Sequence, residues 1–332
     1  MTNRIRWGIL GNALIARTQL IPAIQRSVNG EVVGIASRAS APRAAADEFG
    51  IKWAFASYEE LLAHPEIDAV YIPVPNSEHV PWVIKAAAAG KHVLCEKPLA
   101  LSLGEWDQAV AACADAGVQL LEAFMYRFHP QHQMVRDLIA AGVIGDVSAI
   151  HSSFHFDIGD LRGSNVRLQG PLGGGALNDL GCYTVDIATS LLGRAPESVF
   201  ATAQFAPDDP TVDVSTGGTL NFGTVQATFN CGFQGTGNSY WVTGNAGRIE
   251  VPYAFRPDER GGVGVVRVHR EESSEEHVVI GDQYRLQVEA FAQAISAGTG
   301  LADSLQQSRN TTQTLDGLRS SLTRGVPTVI RG

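Results

Sequence analysis

The feature that most constrains this chain is an alternation of short apolar runs with amphipathic stretches over its first 123 residues. Apolar runs at 5–10, 31–37, 69–73, 91–95 and 118–122 are separated by helix-like segments at 16–26, 41–49, 58–63, 79–89 and 103–116. Strands that are apolar on both faces and alternate with helices predict a parallel sheet covered on both sides. Right-handed crossovers then make it doubly wound, with ligands at the carboxyl edge of the strands. Beyond Ala123 the texture changes. A helix at 132–141 and a strand at 147–156 precede a glycine turn, Gly173-Gly174-Gly175, which opens a helix ending near Leu192. Strand-like runs follow at 199–205, 219–222, 225–231, 240–243, 248–251, 263–270 and 277–280, with segments 206–215 and 256–264 read as loops. Closely spaced strands without helices between them predict a mainly antiparallel sheet. Two helices, near 283–297 and 304–324, finish the chain. The expected fold class is α/β: a Rossmann domain over 1–123, then a second α/β domain with an open, mainly antiparallel sheet over 124–332.

Composition excludes several classes. A formal net charge of −9 argues against nucleic acid or an anionic membrane as partner. No apolar stretch is long enough to span a bilayer, and the N-terminus lacks a signal-peptide layout. The cysteines Cys95, Cys113, Cys182 and Cys231 form no metal-type or disulfide-type spacing, which points to a reducing cytoplasm.

The first strand runs into Gly11-Asn12-Ala13-Leu14-Ile15-Ala16, a variant of the strand–glycine turn–helix fingerprint. Small residues are needed there because the backbone must approach a pyrophosphate at a helix N-terminus. Ala13 stands where the middle glycine usually is. The second strand ends in Ser37-Arg38 rather than in an acid, with Arg43 one helical turn on. An acid would hold a ribose 2′-hydroxyl, whereas serine and arginine suit a 2′-phosphate, so the expected cofactor is NADP(H). Two more segments leave strands at the same edge: Pro75, Asn76 and His79 in one, Glu96-Lys97-Pro98 in the other. Asn76 and Ser77 also suit helix capping. In the second domain, regular helical spacing would put Asp179, Tyr183 and Asp186 on one face after the glycine turn. Arg127, His129, His155 and Asn178 are candidates for a substrate wall or for structural pairing. His151, Ser153, His155 and Asp157 alternate along one strand face, and no metal site is expected.

Together the glycine turn, Glu96-Lys97-Pro98, the segment Glu122 to Pro130 and the Gly-Gly-Gly-x-Leu-x-Asp-x-Gly-x-Tyr stretch resemble the glucose–fructose oxidoreductase, inositol dehydrogenase and MocA (Gfo/Idh/MocA) family. The likeness is greatest to its NADP-dependent D-xylose (aldose) 1-dehydrogenase and dimeric dihydrodiol dehydrogenase branch. It implies a carbohydrate substrate, such as xylose, glucose or a related polyol. It also implies a homodimer or homotetramer assembled through the C-terminal sheet. Lys97 would then contact substrate and nicotinamide ribose, Tyr183 would take the place of a catalytic histidine, and Asp179 would be the family aspartate. A free phenol titrates near 10, and a neighbouring ammonium favours its ionised form. Ketosugar reduction, 1,5-anhydrofructose-type reduction and trans-dihydrodiol oxidation are the alternatives within the family. A non-catalytic nicotinamide sensor is the alternative outside enzymology, and it would have no use for both Lys97 and Tyr183.

Overall fold

A computed structural model describes residues 4–38, 42–298 and 301–330. They form two compact units. In the first, β1 (Ile5–Leu10), β2 (Gly30–Ala36), β3 (Trp53–Phe55), β4 (Ala69–Ile72), β5 (His92–Cys95) and β6 (Leu120–Glu122) pair in parallel in the order β3-β2-β1-β4-β5-β6. The helices α1 (Ile21–Arg26), α2 (Pro42–Phe49), α3 (Tyr58–Ala63), α4 (His79–Ala88) and α5 (Leu103–Asp115) connect them. The doubly wound topology is as expected, and the order reverses between β1 and β4, which makes that pair its switch point. Its core includes Leu10, Leu61, Ile72, Val83 and Val93, all fully buried. β3 is short and only half-buried, which is why no apolar run announced it.

The chain returns to this unit late: segment 284–306 belongs to it, not to the unit that precedes it in sequence. Phe291, fully buried, packs on Trp7 of β1 with ring centroids 5.7 Å apart. Asn29 donates to the Glu289 carbonyl at 2.9 Å. A division at residue 123 therefore misses one helix, because the periodicity of an amphipathic segment does not say which surface it covers.

The second unit carries a nine-stranded sheet among the described residues. After α6 (Pro130–Ala140) come β7 (Val147–His155) and α7 (Cys182–Leu192). Then follow β8 (Ser198–Phe205), β9 (Asp213–Asn221), β10 (Gln226–Gly232), β11 (Gly237–Gly244), β12 (Gly247–Val251), β13 (Val263–Arg270) and β14 (Ser273–Ile280). The chain passes through α8 (Gln283–Ala297), which belongs to the first unit from Tyr284 on, and α9 (Ala302–Arg324), which returns to the second unit at Gln307, to β15 (Thr328–Val329). All neighbouring strands are antiparallel except β7 and β10. Three strands, β9, β11 and β14, are about twice as long as the sequence suggests. β9 begins at Asp213, inside a stretch read as a loop, because Ser215 to Gly218 carries no apolar alternation. β14 begins at Ser273, since an edge strand paired on one side tolerates Ser-Ser-Glu-Glu.

Phe291→Ala should destabilise the first unit by about 3–5 kcal/mol, the usual cost of emptying a buried aromatic site. Urea unfolding checks this, and a loss below about 1 kcal/mol would mean that the helix does not help hold β1.

Candidate active site

Parallel pairing delivers the ends of β1, β2, β4 and β5 to one edge of the first unit. Gly11 adopts φ 135°, and a Cβ there would meet the Tyr58 hydroxyl at 3.3 Å, so the turn requires glycine. Ala13 accepts from the Arg17 amide at 3.1 Å, and Asn12 accepts from the Arg17 guanidinium at 3.1 Å. Arg17 in turn pairs with Glu48 at 2.6 Å. No acid stands in the first turn of the π-helix Ala16–Leu20, and Leu14 is 75% exposed. A helix start without a competing carboxylate suits a pyrophosphate. The residues present therefore fit a dinucleotide.

Ser37 is buried and Arg38 is half exposed at the end of β2. The Arg38 guanidinium lies over the Tyr58 ring at 4.9 Å and pairs with Glu78 at 2.6 Å. Arg43 pairs with Asp47 on the exposed face of α2. Pro75 is the N-cap residue of a 3₁₀ turn, Asn76–Glu78, so Asn76 lies inside the turn rather than at its cap. His79 departs from a direct ligand role: it is fully buried, with Nδ1 2.8 Å from the Pro98 carbonyl and Nε2 2.9 Å from the Val74 carbonyl. It acts through the backbone, tying the Glu-Lys-Pro loop to the segment after β4. The loop is held elsewhere too. Tyr71 donates to Glu96, and the Leu99 amide donates to Glu122 at 2.7 Å. Lys97, half-buried, thus projects from a backbone fixed on both sides.

In the second unit the glycine turn leads into a π-helical segment, Leu177–Gly181, continuous with α7. The extra residue per turn lies before Tyr183 and breaks the regular spacing from Asp179, while Tyr183 and Asp186, both in α7 and both against Tyr126, keep theirs. Asp179 is engaged by Arg167, whose Nε lies 2.6 Å from Oδ2. Tyr183 sits among Tyr126, Phe154 and Phe255, with centroids at 5.8, 5.3 and 5.6 Å. Asp186 is fully buried and takes hydrogen bonds from Tyr126, from Arg127 Nε at 2.9 Å and from Thr311 at 2.6 Å. The helix start is tied down by Asp213, which accepts from the Leu177 amide at 2.7 Å and from Thr216 at 2.6 Å. Burial pushes that carboxyl above the usual range.

Several substrate candidates have internal tasks instead. Arg127 is spent on Asp186. His129 is buried, caps α6 by accepting from the Gln131 amide, and bonds the Gly262 carbonyl at 3.0 Å. Asn178 donates to the Gly173 and Gly174 carbonyls and accepts from Arg319 at 2.9 Å. His155 bonds Asn230 at 2.6 Å, and His151 bonds Thr228 at 2.8 Å while stacking on Trp241. Each is a buried or half-buried polar group that needs a partner, and the nearest one is protein. Arg167 and Asp213 escaped sequence reading because both fall in segments without periodicity.

The fold and the turn at its switch point define a dinucleotide-dependent oxidoreductase. Residues 5–124 match the model of an oxidoreductase family with an NAD-binding Rossmann fold, and residues 132–250 match the Gfo/Idh/MocA C-terminal domain. The chain is 38% identical over 322 residues to a D-xylose 1-dehydrogenase (NADP(+)) of Haloferax volcanii, covering 96% of this chain and 98% of that one. It is 32% identical to the trans-1,2-dihydrobenzene-1,2-diol dehydrogenase of Mus musculus, covering 77% of each. A 3-ketoreductase from Actinomadura kijaniata, solved with TDP-benzene and NADP, superposes with a TM-score of 0.87 at 31% identity, covering 96% of this chain and 98% of that one. The chain belongs to the Gfo/Idh/MocA oxidoreductase family.

Burial holds the His79 imidazole down to about 4 and that of His132 down to about 3. The unfolded chain binds protons near 6.5 where the folded one does not, so stability is full above that pH and falls as the pH drops towards 4. Each histidine contributes a slope of up to about 1.4 kcal/mol per pH unit. In urea unfolding between pH 7 and 4.5, His79→Gln should show a shallower decline than the parent chain. An unchanged slope would contradict a neutral, buried His79.

Proposed function

We propose that this NADP(H)-dependent oxidoreductase acts on a free, uncharged sugar, an aldose such as xylose or glucose or a related polyol, with Tyr183 and Lys97 as its proton-transfer pair. A bound nicotinamide would supply the hydride acceptor or donor for the sugar carbon. In the oxidising direction Tyr183 Oη takes the hydroxyl proton, and in the reducing direction it gives the proton back. Lys97 holds the sugar, and its positive charge favours the phenolate. The chain's own contribution is rigidity: Tyr183 stands in an aromatic cluster on a helix anchored by Asp186 and Asp213, and Lys97 stands on a clamped loop. Tyr126, Arg127 and Asp186 are positioning residues, since they act through α7.

One observation favours a free sugar over a nucleotide-linked one. A diphosphate wants unspent cations, preferably arginine forks. All four lysines lie between residues 52 and 97, in the first unit, so the second unit contributes none. The arginines around the start of α7 are engaged: Arg167 by Asp179, Arg127 by Asp186, and Arg319 by Asn178 and Asp316. The same reading places the protein in a reducing cytoplasm as a homodimer or homotetramer built on the C-terminal sheet. Its four cysteines are buried thiols, and no helix among the described residues is long and apolar enough to cross a membrane.

Tyr183→Phe and Lys97→Ala should each lower kcat with free aldoses by roughly 10²–10⁴, the usual share of a general acid–base group. NADP binding by the variants, followed by titration, should stay within about threefold, as expected for groups outside the cofactor's anchoring turn. Near-normal turnover in either variant removes that residue from the relay. Faster turnover of a dTDP-sugar than of any free aldose would overturn the substrate class.

A further inference from the structure

Arg38, the residue assigned to a 2′-phosphate, is already engaged by a carboxylate. Its Nη2 donates to Glu78 Oε2 at 2.6 Å. The same oxygen accepts from the Trp82 indole N–H at 3.2 Å, so Glu78 is held from two sides. The guanidinium rests over Tyr58 at 4.9 Å and near Trp82 at 6.0 Å, and those two rings meet edge to face at 4.8 Å. The nearby Lys85 lies over Trp82 at 3.9 Å and is itself paired with Glu59 at 3.0 Å. Arg43 is matched by Asp47. Among the described residues, then, the cations at this corner each have an acidic partner. The patch is balanced before any ligand arrives, and a phosphate that brings nearly two negative charges would leave it in excess.

We propose that Glu78 is a specificity-determining residue that competes with the 2′-phosphate of NADP for Arg38. This rests on the NADP reading given above. The carboxylate holds the guanidinium on its aromatic platform in the free protein, as an internal stand-in for the anion. When the phosphate binds, Glu78 either gives up Arg38 or shares it at close range with a like charge, and both weaken NADP binding. NAD has a neutral hydroxyl at that position, so Glu78 costs it little and can accept its hydrogen bond. Glu78 therefore narrows the preference for NADP over NAD and leaves both cofactors usable.

The test is direct binding of NADP⁺ and NAD⁺ by calorimetry, without turnover, to the intact parent chain and to Glu78→Gln, Arg38→Ala and the double variant. Glu78→Gln removes the charge and keeps an oxygen for Trp82. It should tighten NADP⁺ by about tenfold, equivalent to roughly 1.4 kcal/mol, and move NAD⁺ by less than about twofold. The gain should vanish in the Arg38→Ala background, because the effect runs through that guanidinium. If Glu78→Gln leaves NADP⁺ binding unchanged, weakens it, or shifts both cofactors by the same factor, the proposal is overturned. If Arg38→Ala itself leaves NADP⁺ binding unchanged, the assignment of the phosphate to Arg38 falls first. The two failures are thereby told apart.

Discussion

Parallel strands end together, and the chemistry of the first unit depends on that constraint. Because β1, β2, β4 and β5 all run the same way, Gly11, Arg38, Pro75–Asn76 and Glu96–Lys97 arrive at one edge. None of these residues would mean much alone. A glycine turn is common, and an arginine after a strand usually faces water. Held along one edge, they are where we propose the parts of a dinucleotide lie in order: pyrophosphate at the turn, ribose substituent at the end of β2, and the reacting end towards Lys97. The antiparallel second unit has no such edge. It holds its candidate phenol on a helix, and buried polar bonds fix that helix in place.

The buried network under α7 shows how rigidity is obtained. Asp186 places a carboxyl group out of water, and several donors satisfy it. Such a carboxylate adds little net stability over an apolar core, but removing one partner is costly. The gain is positional: the network defines the rotation of α7 and so the direction of Tyr183. The Glu-Lys-Pro loop does the same for Lys97 by a different route, with His79, Tyr71 and Glu122 holding the backbone on either side of it. Both candidate catalytic groups are thus carried on supports that lose little freedom on binding substrate, which is where much of an enzyme's rate advantage originates.

The doubly wound parallel sheet and the glycine turn were legible in the sequence, because each rests on a local rule: apolar periodicity for the one and positive φ for the other. What was not legible is pairing at a distance. Arg127, His129 and Asn178 have the right chemistry for a sugar wall, yet each is occupied by a partner far away in sequence. His79 is near the cofactor edge but turns inward. The π-helical turn at Leu177–Gly181 defeated the regular spacing that would align Asp179 with Tyr183, since one inserted residue rotates everything after it. The helix around Phe291 was assigned to the wrong unit for a similar reason: its periodicity marks an apolar face and leaves open which sheet that face covers.

The central claim is that Tyr183 and Lys97 serve one reacting carbon of a free sugar. The measurement that addresses it most directly is a crystal structure with NADP⁺ and an aldose bound. The account predicts the sugar's anomeric hydroxyl in hydrogen-bond reach of Tyr183 Oη, with Lys97 Nζ touching the same sugar and the anomeric carbon against the nicotinamide. A sugar bound elsewhere, or bound at the nicotinamide with Tyr183 out of reach of the reacting hydroxyl, would contradict it.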